Sequence, residues 1–241
     1  MKSLALPCVL LTGLVAAIAN TASDEPKKVG WVETVKLDMH GWTVHAETSL
    51  VSGEHKEEGA RALSMLANHL ERIAILVEGK PLEDLRKMEI FIQHEHPELA
   101  PMQYHPGADW LIERGYDPRL VKKVHVPRAR DLVSRSQMLK HPAVILHELS
   151  HAYHDQVLGF EHAGIIAAYD RAMKAGIYEK SLLHTGETVK HYATTNHKEY
   201  FAEATEAYLY RNDFYPFVRA ELFTHDAQAH ELMKEIWGEA E

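Results

Sequence analysis

Cysteine is all but missing from this 241-residue chain, Cys8 being the only one. One thiol forms no disulfide within the chain and no cysteine metal cluster, so stability has to come from an ordinary core. Positive charge is also scarce. Lys and Arg number 26 against 35 Asp and Glu, a formal net charge of −9 without a long basic run, which excludes the usual footprint of a nucleic-acid binder. No Gly-x-Ser-x-Gly elbow occurs, which argues against a serine hydrolase. Internal repeats and low-complexity linkers are absent. Long apolar runs are limited to one, Leu4 to Ala19, which encloses Cys8. With Lys2 before it and Ala17-Ile18-Ala19 at its end, it reads as a signal peptide over residues 1–19, followed by a leader over 20–30. Export to a periplasmic or extracellular space is the expectation, with no membrane segment after cleavage.

Residues 31–241 are long enough to bury a core as one domain. Trp31, Val35, Leu37 and Met39, then Trp42, Val44 and Ala46, alternate with polar residues around His40-Gly41, the pattern of a hairpin. Glu57 to Val77 carries an apolar stripe at helical spacing that Gly79-Lys80-Pro81 ends. Met88 to Ile92 and Val121 to Val126 predict strands, and Ala100 to Gly115 a loop turning into a short helix at Asp109. Pro142 and Gly159 bracket the next helix, and further helices are expected over 164–175, from Asn196 to about Tyr210, and over 226–237. The class is α+β, with a sheet-and-helix upper part over about 31–126 and a mainly helical lower part from about 141.

The helix between Pro142 and Gly159 contains His147-Glu148-Leu149-Ser150-His151. Residues i and i+4 share a helix face, so both imidazoles can converge on one zinc ion, while Glu148 sits at the edge of that face, placed for a water beside the metal. A chain with 18 histidines lowers the weight of these five residues taken alone. His154 is no third ligand to the same ion, since seven residues of rise separate it from His147 by about 10.5 Å along the axis. Glu199 is the best downstream candidate, because Glu203, one turn on, can hydrogen-bond the second nitrogen of a liganding ring. The competing explanation is a capping box of Asn196 and Glu199, with Glu203 and Glu206 on a solvated face. Tyr192 is placed to donate to an oxyanion, with His191 and His197 as rivals and a merely packed tyrosine as the plain alternative. A second metal site at His94 and His96 is conceivable on one strand face, although a polar strand end in a histidine-rich chain is the favoured explanation.

His147-Glu148-Leu149-Ser150-His151, with Tyr192 seven residues before Glu199-Tyr200-Phe201-Ala202-Glu203, resembles the catalytic domain of the anthrax-lethal-factor-like zinc metallopeptidases, a gluzincin branch of the zincins. Tyr200 replaces a phenylalanine of that pattern. Gly41-Trp42-Thr43-Val44, His147 to Gly159 and Asn212-Asp213-Phe214-Tyr215-Pro216-Phe217 resemble secreted proteins grouped with the same family. The resemblance implies a zincin fold, one Zn2+ on His147, His151 and Glu199, Glu148 as general base, Tyr192 as oxyanion donor, Glu203 behind the ligands, and a peptide or protein substrate. A non-catalytic zinc-binding protein of the same fold, or a hydrolase of another amide, are the alternatives.

Overall fold

Residues 28–239 are described by a computed structural model, and the expected signal peptide lies outside them. Strands β1 (Thr34–Met39) and β2 (Trp42–Glu47) form the expected hairpin, with Met39 opposite Trp42. Its two turn residues, His40 at φ 52° and Gly41 at φ 90°, both take the left-handed conformation that a tight two-residue hairpin requires. Strands β3 (Glu89–Ile92), β4 (Gln103–Tyr104) and β5 (Lys123–Val126) complete a five-stranded sheet of order β1-β2-β3-β5-β4. β2, β3 and β5 run parallel, and β4 returns antiparallel at the edge. The loop reading of 100–108 missed β4. Pro101, Pro106 and Gly107 outweigh two strand residues in any local pattern.

The five longest described helices are α1 (Lys56–Leu76), α2 (Val144–Tyr153), α3 (Ala163–Ala175), α4 (His197–Leu209) and α5 (Ala227–Trp237). α2 runs on into a π-helical turn, His154–Leu158, before Gly159 at φ 79° stops it. Gly79-Lys80-Pro81 does not only end α1, since a further short helix, Gly79–Leu85, starts there. The irregular stretch expected before His197 contains a small hairpin, β6 (Ser181–Leu182) with β7 (Thr188–Val189), and a 3-10 turn at Tyr192–Thr194.

Side chains alternate across β3 and β5 as pleating dictates. Ile90, Ile92, Val124 and Val126 join a core that includes Leu66 and Leu70 of α1, Ile145 and Leu149 of α2, and Phe201 of α4. Phe91 points the other way, into a smaller cluster with Val29, Leu111, Tyr116 and Leu120. The main core thus draws on both the upper and the lower stretches of the chain, and α2 lies between sheet and α4. Burial of these apolar faces, at ~25 cal/mol per Å2, is what fixes α2 against its neighbours. No described helix is long and apolar enough to cross a membrane.

Candidate metal centre

The His147 and His151 rings leave α2 on one face, and α4 brings Glu199 to them. Asn196 starts α4, its Oδ1 accepting from the backbone N–H groups of Lys198 (2.9 Å) and Glu199 (3.0 Å). Capping and site-building therefore coexist. The cap orders the first turn, and the Glu199 carboxylate is left to project across to α2.

Nε2 of His147 and Nε2 of His151 are 3.1 Å apart, and Oε2 of Glu199 stands 3.2 and 3.1 Å from them. Ligand atoms on a tetrahedron with bonds of ~2.0–2.1 Å stand roughly 3.3–3.4 Å apart, so this triangle fits one ion seated slightly above its plane. The tautomer supports it. Nδ1 of His147 donates to Oε1 of Glu206 at 2.6 Å, which in the neutral ring leaves a lone pair on Nε2, directed at the Glu199 carboxylate and the His151 ring. Facing lone pairs repel unless a cation or a proton lies among them. Burial pushes the His147 imidazole down, but Glu199 and Glu206 outweigh it and hold its pKa well above the ordinary value. Burial raises the Glu199 carboxyl, and the two histidines reverse that, holding it below the ordinary range. The metal-free cluster thus keeps a proton where a metal fits.

Among the described residues two groups could hold a metal: His147 with His151 and Glu199, and His147 with Glu203 and Glu206. Both are built on His147. His94 and His96 belong to neither, because β3 stops at Ile92 and the alternation that would align them stops with it. His94 stacks on His55 and meets Glu58, whereas His96 is buried beside His125. His154 is buried against Phe160 and Phe201, away from the triangle.

Glu203 does not have the contact expected of it. Its Oε1 is 3.8 Å from Nδ1 of His147, and the hydrogen bond to that nitrogen belongs to Glu206, three residues on. Glu203 instead accepts from the Asn212 side-chain amide, through Oε2 at 2.8 Å and through its backbone carbonyl at 2.9 Å. Neither glutamate lies on a solvated face, since both are buried. Glu199, Glu203 and Glu206 follow i, i+4, i+7 spacing, and that periodicity was the available signal for Glu206.

Glu148 is buried beside the triangle, its Oε2 accepting from the backbone N–H of Tyr104 at 2.8 Å. The edge strand missed in the sequence is thus what holds this carboxylate. Burial raises the Glu148 pKa against the opposing pull of His147 and His151. Tyr192 is 47% exposed and lines, together with Glu148, two cavities of about 370 and 310 Å3 that flank the site. Its rivals are otherwise engaged. His191 is buried with Nδ1 accepting from Ala193 N–H, and His197 meets the Phe160 carbonyl through Nε2.

Compared with protein-family models, curated proteins and solved structures, the chain matches none of them. The site therefore rests on its own geometry.

Proposed function

We propose that this chain is an exported, zinc-dependent metallopeptidase of zincin-like architecture. The observation that carries the reading is the equilateral arrangement of His147 Nε2, His151 Nε2 and a Glu199 oxygen, with the buried Glu148 carboxylate next to it on a two-sided cleft. Two imidazoles and one carboxylate suit zinc in a catalytic, three-ligand setting. Bound there, zinc supplies Lewis acidity that makes water nucleophilic at neutral pH. Glu206 orients the His147 ring and raises its basicity. Glu148, its carboxylate held by the Tyr104 N–H, takes the proton from the attacking water and delivers it to the leaving amine. Tyr192, on the wall shared by both cavities, donates its phenol hydrogen to the oxyanion. The two cavities that meet at Glu148 leave room for a peptide.

Glu148→Gln tests the assignment. The variant is expected to retain zinc, measured by metal analysis, and to lose peptide hydrolysis by at least 100-fold, in line with the ~10²–10⁴ that a general base contributes. A Gln variant with full activity rejects the base. Stoichiometric zinc without cleavage of any peptide by the unsubstituted protein favours the non-catalytic alternative.

A further inference from the structure

The larger of the two cavities, about 370 Å3, holds more than ten times the ~30 Å3 share of a water molecule and runs from Glu148 and Tyr192 towards the segment after α4. Its walls include Met102, Val144, Leu183 and Phe214, and besides Glu148 its lining contains two further carboxylates, Glu206 and Asp213. Glu206 is engaged with His147. Asp213 is not matched in the same way: its side chain is 2% exposed, and its Oδ2 is buried without a hydrogen bond. The nearest basic group is Nδ1 of His141 at 3.6 Å, beyond hydrogen-bond length, and burial holds that ring neutral with a pKa lowered to about 4. Lys140 also lines the cavity but is solvent-exposed, and among the described residues no lysine or arginine pairs with Asp213.

Asp213 is held in this position on purpose-built contacts. Asn212 anchors the segment by its two hydrogen bonds to Glu203, and its Oδ1 accepts from Phe214 N–H at 2.7 Å. The Asp213 carbonyl accepts from His184 N–H at 2.8 Å, tying the segment to the β6–β7 hairpin. Removing a carboxylate from water without a cation beside it is costly, so such a group either takes up a proton or pairs with a cation that enters. Burial, then the like charge of Glu206, accordingly pushes the Asp213 carboxyl up to about 7, against the opposing pull of a backbone hydrogen bond, His147 and Lys140.

We propose that this cavity is a specificity pocket for a basic side chain, lysine or arginine, of the peptide substrate, with Asp213 as the residue that selects it. The apolar walls take the methylene stem and the Asp213 carboxylate takes the cationic head, the amphipathic match that long basic side chains make. This rests on the metallopeptidase reading above. It deepens that reading by naming the substrate class.

The test uses the zinc-loaded full chain and an internally quenched peptide set in which the residues flanking the scissile bond are arginine, lysine, norleucine or glutamate. Arginine or lysine is expected to exceed norleucine by at least tenfold in kcat/KM at one flanking position. In Asp213→Asn that ratio is expected to fall to within about twofold of unity. Because a ratio is read, partial misfolding of the variant does not imitate the result. Binding of arginine and norleucine hydroxamates to the zinc-loaded protein, followed by calorimetry, reads the pocket without turnover. A zinc-loaded protein that cleaves nothing yet binds the arginine compound at least tenfold tighter, in an Asp213-dependent way, rejects hydrolysis and keeps the pocket. Equal binding, or a norleucine preference unaffected by Asp213→Asn, overturns the pocket and leaves the hydrolase standing. Failure to take up zinc overturns both.

Discussion

At the scale of single residues, His147 is the hinge of the site, because one nitrogen faces His151 and Glu199 and the other donates to Glu206. Glu206→Gln is expected to weaken zinc binding 10–100-fold, the usual effect of removing a ligand's hydrogen-bonded carboxylate. Glu203→Gln should weaken it far less, its carboxylate being bonded to Asn212 instead. Competition against a chelator of known affinity separates the two, and equal losses would reject the assignment of Glu206. The raised His147 pKa predicts a pH dependence as well. Zinc bound to this cluster, as proposed, would displace a proton, so its apparent affinity is expected to weaken as the pH falls below that raised value, by about tenfold per pH unit for each proton displaced. The metal-free protein responds in the opposite sense. The stability contributed by protonated His147 is fully present below its unfolded-state pKa of ~6.5 and is lost as the pH rises through the folded value. A zinc affinity that is flat between pH 6 and 8 would contradict the proton-filled cluster. These residue identities were largely legible in advance. His147, Glu148 and His151 follow from helical spacing alone, whereas the choice of Glu206 over Glu203 depends on how α4 is rotated against α2, which no spacing rule specifies.

At the scale of elements, most helices and strands could be read from periodicity and end signals, and the departures share a cause. β4 is two residues long, β6 and β7 likewise, and segments this short are made by their partners rather than by their own propensities. The consequence for the site is large, since Tyr104 of β4 supplies the N–H that holds Glu148. α1 shows the same dominance of context over propensity. Gly59 lies within this helix, where alanine is ordinarily preferred by ~1 kcal/mol. A Cβ built there would stand 1.9 Å from the Leu50 carbonyl oxygen, so the helix approaches the preceding turn as closely as only glycine allows. Gly59→Ala is therefore expected to destabilise, by about 1–3 kcal/mol in urea unfolding, despite the propensity gain. A stabilised variant would show that the contact relaxes freely.

At the scale of the whole molecule, the single cysteine and the site at the α2–α4 junction together predict how stability responds to conditions. Reductant should leave the melting temperature unchanged, since one thiol makes no internal crosslink. Chelation should lower it. Zinc at 1,000 times its Kd adds ~4 kcal/mol to the folded state, worth roughly 8–16 °C at the 2–4 °C per kcal/mol usual for a chain of this size. Scanning calorimetry with and without chelator checks this, and no shift would count against a metal on His147, His151 and Glu199. The sequence alone determined the α+β class, the helix that presents His147 and His151, and the cap that starts α4, because these depend on contacts within a few residues. Tertiary structure alone decided that Glu199 closes the triangle, that Glu206 orients His147, that β4 holds Glu148 and that Asp213 lines the neighbouring cavity. Each of those pairs joins segments far apart in the chain, and the packing of α2 between the sheet and α4, not any local pattern, sets which atoms meet.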